Sequence, residues 1–320
     1  MPTAPQQPYL TRLTLPAETF HEPRRDDCPW CGSDRLDTLV RMPDPARRTP
    51  GTFVLETCRA CAHVFQNPRL TADALALYPR RPYGGHGGAR RRPAAARAVP
   101  PAAEPESWLD VGTGYGHFPE AAREVHPYTC FDGLDTTPRV QHARAAGRVE
   151  EAHQGELTDP EITARLRGRY DVVSMFHHLE HTSDPREELR AALAVLRPGG
   201  HLLIELPDPG CAFGALLGRR WAPYDQPRRL HLLPPRNVLA ELEAAGCTIV
   251  TVDRSGPHVP YDLTGAVSLA LARRRTAPAL AVRPVLAAAT ALDRGLAPLL
   301  RRTRFSNACR VLARKPGSAP

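Results

Sequence analysis

The stretch Leu109 to Gly116, LDVGTGYG, limits the fold more than any other part of the chain. An apolar run, Trp108 to Val111, ends in glycines at alternate positions, Gly112, Gly114 and Gly116, and a helical pattern begins at Phe118. Glycine has no Cβ, so the backbone can turn sharply there and come close to a ligand. An ordinary tight strand-to-helix turn has the same look. A second feature narrows the choice: the next apolar run, Tyr128 to Leu134, ends at Asp135, where a carboxylate accepts hydrogen bonds from ribose hydroxyls. The third glycine comes one residue too early for the dinucleotide fingerprint G-x-G-x-x-G. Asp110, just before the loop, would repel a phosphate but tolerates a cationic ligand.

Beyond this loop, strands and helices alternate. Tyr170 to Met175 reads as a strand. Asp184-Pro185 reads as an N-cap followed by proline at the first helical position. Leu189, Leu193 and Leu196 mark a buried helix face, Arg197-Pro198-Gly199-Gly200 stops that helix, and His201 to Leu206 is the next strand. Val238 to Leu242 is helical, and Thr248 to Val252 and Ala308 to Ala313 are strands. This order predicts an α/β domain built on a mostly parallel sheet with helices on both faces.

The segments LDVGTGYG, GLD, YDVVSMFHHLEHTSDP and LRPGGHLLIELP, in that order over residues 107–253, resemble class I S-adenosylmethionine (SAM)-dependent methyltransferases. The likeness is strongest to the branch with an EHxxDP segment, here Glu180-His181 and Asp184-Pro185, which includes quinone and sugar methyltransferases. It implies a Rossmann-like, seven-stranded, mostly parallel sheet. It also implies that Gly112, Gly114 and Gly116 line the methionine part of SAM, with Asp110 near the ammonium. Asp135 would hold the ribose, Glu156 would lie near the adenine amine, and Phe176 and His177 would begin the loop beside the methyl group.

Methyl transfer to oxygen benefits from a base. His177, His178 and His181 follow the fourth strand of this domain, at the ligand-binding end of such a sheet, and His231 is a further candidate. For each, a loop or capping contact is the alternative. His181 matches the family's EH position. Asp225 to His231 resembles a D-x-P-R-H-L segment of related enzymes, with Arg229 where that pattern has histidine. Trp221, Tyr224 and His231 are then either substrate-pocket residues or loop packing.

Cys28-Pro29-Trp30-Cys31 and Cys58-Arg59-Ala60-Cys61 have zinc-knuckle spacing, with 26 residues between the pairs. Two such pairs can complete a tetrahedral four-sulfur site, which predicts a structural zinc ribbon. Redox pairs and a module without metal are the other readings. The module, with Asn67-Pro68-Arg69 and tyrosines Tyr78 and Tyr83 after it, resembles modules fused to sugar and natural-product methyltransferases. The remaining four of the eight cysteines form no disulfide framework.

The expected organisation is an arm over 1–27, the zinc-ribbon-like module over 28–68, a linker over 69–106 and the SAM domain over 107–316. A helical basic insertion falls at about 264–304. Residues 266–304 hold eight arginines and one acid, Asp293. Val285, Ala289, Leu292, Leu296 and Leu299 are spaced as one helical stripe, read here as packed beneath a solvated arginine face. Prolines 278, 284 and 298 limit helix length and weigh against membrane contact through this segment. Met1 to Phe20 carries no apolar signal-peptide core, so the expected compartment is the cytoplasm. A formal charge of +8 admits nucleic acid as a partner, but Lys315 is the sole lysine and aromatic residues are few. The leading reading is methyl transfer to an oxygen of a small molecule. RNA methylation and a non-catalytic zinc-binding interaction protein stand as alternatives, and the sequence fixes no oligomeric state.

Overall fold

The structure is a computed structural model, described here for residues 20–44, 51–76, 78, 91–100, 104–255, 261–272, 279–300 and 302–317. Tyr83, most of the N-terminal arm and Pro278 lie outside the described residues. In chain order the strands are β1 (Leu36–Met42), β2 (Phe53–Cys58), β3 (Val64–Gln66), β4 (Ser107–Val111), β5 (Cys130–Asp135) and β6 (Ala152–Gln154). They continue with β7 (Tyr170–Phe176), β8 (Leu196–Pro207), β9 (His231–Leu232), β10 (Thr248–Asp253) and β11 (Ala308–Arg314). The chain divides into two compact units, one of residues 1–81, 212–232 and 260–295, the other of 82–211, 233–259 and 296–320.

The second unit holds a seven-stranded sheet in the order β10-β11-β8-β7-β4-β5-β6. Strands β6, β5, β4, β7 and β8 run parallel, and β11 is antiparallel to both β8 and β10. The chain moves outward from β4 to β5 and β6, then returns to the other side of β4 for β7. The order therefore reverses between β4 and β7, and open α/β sheets bind ligands beyond the carboxyl ends of strands at such a point. Trp108, Leu109 and Val111 are buried, as expected for a parallel strand covered on both faces. The Asp184 side chain accepts from the N–H groups of Arg186 and Glu187, capping the helix Pro185–Val195.

Two local expectations fail in this unit. The helix stops at Val195, but Arg197 to Gly200 already belongs to the next strand: β8 begins at Leu196 rather than at His201. Gly199 adopts φ +78°, and a Cβ on Gly200 would lie 2.9 Å from the Asp171 carbonyl oxygen, so glycine lets the strand start here with a register shift against β7. Residues 91–96, read as linker, form a helix whose Ala95 and Ala96, with Val99, pack against Trp108, Phe118, Phe131 and Leu203. Pro93 sits in its first turn, where the missing N–H costs nothing.

The first unit holds a four-stranded antiparallel sheet, β1-β2-β3-β9. The sequence reading closed this module at residue 68. In fact β9 completes the sheet, with Val64 opposite Leu232 and Phe65 opposite His231. The segment before β9 is anchored by buried polar contacts: Gln66 Nε2 donates to Gln226 Oε1 at 2.7 Å, and Arg228 pairs with Asp44, both fully buried. Trp221 is buried, stacks edge-on against Tyr224 and donates to Asp262 Oδ1. Tyr78 packs edge-on against Phe53 in the same unit.

The helix Ala279–Leu300 departs most from expectation. It continues through Pro284 and Pro298. Two of its polar residues, Thr290 and Asp293, face inward: Asp293 accepts from the Leu263 and Thr264 N–H groups and the Thr264 hydroxyl, and Thr264 also contacts Thr290. These bonds fix the helix rotation and turn Val285, Leu292 and Leu299 outward, at 47, 54 and 74% exposure. Of the expected stripe, Val285, Leu292 and Leu299 are therefore not packed, while Ala289 and Leu296 are half-buried. No helix among the described residues is long and apolar enough to cross a membrane.

Candidate cofactor and metal sites

The glycine loop and the acid after β5 form one hydrogen-bonded unit. Gly112, Gly114 and Gly116 adopt φ of +76°, +56° and +71°, which side chains resist. A Cβ on Gly112 would lie 2.8 Å from His178 Nδ1, and one on Gly116 would lie 2.9 Å from Ala143 Cβ. The N–H groups of Gly112 and Thr113 donate to the Leu134 carbonyl. Gly114 N–H donates to Asp135 Oδ2 at 2.9 Å, while Thr137 donates to Oδ1 through its N–H and its hydroxyl. Three donors thus orient the Asp135 carboxylate and leave it capacity for a further one.

Asp110 is buried one residue before the end of β4. Trp108 Nε1 donates to Ser174 Oγ, and Ser174 donates to Asp110 Oδ1 at 2.6 Å. Burial pushes the Asp110 carboxyl up to about 7, against the pull of Ser174, Thr113 and His178, and the nearby Asp135 charge adds to the rise. Glu156 is exposed two residues beyond β6, after Gly155 at φ +148°. Carboxylates therefore stand at the carboxyl ends of three adjacent parallel strands, with no lysine or arginine in the loop 109–116. That donor set fits a cationic nucleoside such as SAM and opposes a phosphorylated one. Phe176, at the end of β7, packs on Phe118 with ring centroids 4.4 Å apart.

The histidines after β7 have separate surroundings. His177, at φ +49°, is buried between two carboxylates: Nδ1 lies 3.2 Å from Glu180 Oε1 and Nε2 lies 3.2 Å from Glu205 Oε1. Burial opposes its charging, but the two acids outweigh burial and raise its pKa. Arg310 donates twice to the other Glu205 oxygen. Burial would raise Glu205, yet His177 and Arg310 bring it down to about 2. Charge thus alternates along Glu180, His177, Glu205 and Arg310. Sequence reasoning missed Glu205 and Arg310; the signal was a charge set within an apolar run, Glu205 in Leu202–Leu206 and Arg310 in Ala308–Ala313. His178 Nε2 lies 2.7 Å from Glu188 Oε1, and its Nδ1 faces Gly112 without a hydrogen-bond partner. His181 closes the short turn Leu179–His181 and is half-buried. His231 lies elsewhere, on β9 of the four-stranded sheet.

The four cysteines converge within that same unit. The Sγ atoms of Cys28, Cys31, Cys58 and Cys61 all lie within 4.8 Å of one another, with Cys28–Cys61 at 3.7 Å and Cys31–Cys58 at 3.6 Å. A tetrahedron with metal–sulfur bonds of about 2.3 Å has edges of about 3.8 Å. The two knuckles share one turn geometry: Gly32 N–H donates to the Cys28 carbonyl, Ala62 N–H to the Cys58 carbonyl, and both residues have positive φ. Burial pushes the Cys61 thiol up to about 11, while at Cys58 the backbone N–H groups of Cys61 and Ala60 outweigh burial and bring it down to about 7. The His63 ring stands behind this cluster. Its Nδ1 is 3.7 Å from Cys28 Sγ, its Nε2 is 3.1 Å from His231 Nδ1, and the two rings stack at 5.1 Å.

A switch-point crevice with a glycine loop and a ribose-type acid defines a nucleotide-binding α/β protein. A methyltransferase-domain family model matches residues 86–252, more than half of the chain. The chain belongs to this family, the class I SAM-dependent methyltransferases. A ubiquinone biosynthesis O-methyltransferase of Aeromonas salmonicida is 29% identical over 157 residues, spanning 47% of this chain and 65% of that protein. The same-named protein of Cronobacter sakazakii is 36% identical over 95 residues, 29% of this chain and 39% of that protein. The chain thus covers less than two thirds of these relatives. Among solved structures, the [4+2]-cyclase SpnF aligns at TM-score 0.45 and 23% identity, over 72% of this chain and 81% of that one. A putative sarcosine dimethylglycine methyltransferase from Galdieria sulphuraria aligns at 0.48 and 13%, over 71% and 86%.

Proposed function

We propose that the protein transfers the methyl group of SAM to an oxygen of a small-molecule acceptor such as a phenol, sugar or carboxylate. The observation that carries this reading is the linked pair of glycine loop and oriented Asp135, beside a buried Asp110 with no basic residue in the loop. The relatives named as O-methyltransferases support oxygen as the acceptor atom.

SAM supplies a methyl group already activated by its sulfonium, so the protein's main task is alignment. Asp135 binds the ribose hydroxyls, Glu156 approaches the adenine, and Phe176 walls the pocket beside the loop. Asp110, poised near neutrality, ionises when an ammonium arrives. His177 holds the loop after β7 rather than serving as a base, because both of its nitrogens are engaged by acids. His181, half-buried at the end of its turn, is the base for the acceptor hydroxyl. The four cysteines hold one structural zinc ion, whose closed thiolate set leaves no position for substrate.

Calorimetry with SAM and its demethylated product tests the cofactor site. Asp135→Ala is expected to weaken binding at least about tenfold, the scale of a lost charge-assisted hydrogen bond. Binding should also tighten as pH rises through 7, because Asp110 must lose its proton to face a cation. Equal affinity for the wild type and Asp135→Ala would remove the basis of the assignment. A mass gain of one methylene in a metabolite screen identifies the acceptor.

A further inference from the structure

The outward face of the helix Ala279–Leu300 inverts the usual arrangement of a surface helix. Such helices bury their apolar stripe and expose their polar one. Here Thr290 and Asp293 bond inward, to Thr264 and to the start of the helix Asp262–Ala272. The exposed face carries Val285, Ala288, Leu292, Gly295 and Leu299, so it is apolar along most of its length. At 1.5 Å per residue, Val285 to Leu299 spans about 21 Å.

The charges around this face decide what covers it. Arg283 and Arg294 are exposed on the same helix, and Arg302 and Arg304 are exposed just past its end. Asp293, the one acid among residues 266–304, is buried. Arg283 and Arg294 border one edge of the exposed side, so two copies laid together would bring two basic segments together while the one acid, Asp293, is turned inward. An anionic lipid surface supplies both complements: phosphate charge for the arginines and an acyl boundary for the leucines. Basic flanks around an apolar face are the signature of a helix lying in the plane of a membrane interface. We propose that this helix docks the protein on anionic lipid bilayers. The proposal does not depend on the assigned methyl donor.

The full chain is tested by co-sedimentation with vesicles of phosphatidylcholine alone and of phosphatidylcholine mixed with phosphatidylglycerol. The expected result is binding to the anionic vesicles at least about tenfold stronger than to the neutral ones, falling with added salt. Leu292→Asp with Leu299→Asp should lower anionic binding by about tenfold or more with the thermal midpoint unchanged, since both side chains are exposed. Arg283→Glu with Arg294→Glu should weaken it as well, through a change that leaves the apolar face intact. Failure to bind anionic vesicles overturns the proposal, as does binding that survives the leucine substitutions. A dimer in light scattering that Leu292→Asp dissociates would overturn it too, by assigning the face to a second copy.

Discussion

His177 and His63 are both buried imidazoles with both ring nitrogens engaged, yet their neighbours set opposite demands. His177 stands between Glu180 and Glu205, which favour its charged form and raise its pKa against burial. His63 stands between the Cys28 sulfur and the His231 ring. With Cys28 as the proposed zinc-bound thiolate, the sulfur could only accept, and His63 Nδ1 would donate to it. His63 Nε2 would then accept, and His231 Nδ1 would donate. The first histidine sits in a chain of acids and arginine that favours its charge; the second links the cysteine cluster to the His231 ring. Residue type alone did not separate these roles, and His231 had been grouped with His177 as a candidate base.

The largest effect falls on the metal side of the comparison. Elemental analysis should find about one zinc per chain in the wild type, and Cys58→Ser should release it, because three thiolates bind the ion far less tightly. Full retention in that variant would show that the four sulfurs do not share an ion, and His63 would lose its assigned purpose.

The next effect falls on His177. Glu205→Gln should cost about 3 kcal/mol in urea unfolding, since it leaves His177 and Arg310 with a buried partner removed. The pH dependence has a definite sign. The raised pKa of His177 means its contribution is complete below the ordinary histidine pKa of about 6.5 and fades as pH rises through the folded value. Glu205, held down to about 2, contributes fully above the ordinary glutamate value and is lost as pH falls towards 2. The stability gap between wild type and His177→Gln should therefore be widest in the weakly acid range and narrow on the alkaline side. A gap that widens with pH would mean the ring is neutral.

The smallest effect sharpens the comparison. His63→Phe keeps the ring volume but removes the donor to Cys28, and should lower zinc affinity ten- to a hundredfold in a chelator competition, as for other groups that orient metal ligands. His231→Phe should give a weaker version of the same loss. Unchanged affinity in both would reduce the stacked pair to packing.

What the sequence disclosed follows from contact range. The glycine loop, the capping Asp184 and both cysteine knuckles are set by residues within a few positions of each other, so their chemistry is written locally. Asp135 was legible because the parallel crossover places it one strand away at the same sheet end. Glu205 and Arg310 meet only through the antiparallel pairing of β8 with β11, which periodicity cannot register. The two-residue β9 is too short to carry a pattern, and only its partner Val64–Phe65 defines it. The stripe on 279–300 had the right period but the wrong direction, because Asp293 fixes the rotation through one long-range cap.

The β9 pairing has a consequence for biogenesis. The cysteine-bearing unit draws its residues from separate stretches, and its sheet closes only with His231 and Leu232. A ribosome that has made both knuckles, ending at Cys61, has still to reach Leu232 before that edge is covered. The early product must therefore wait, its sheet edge at β3 uncovered, for a strand that arrives late, and a clone cut at residue 106 would never receive it.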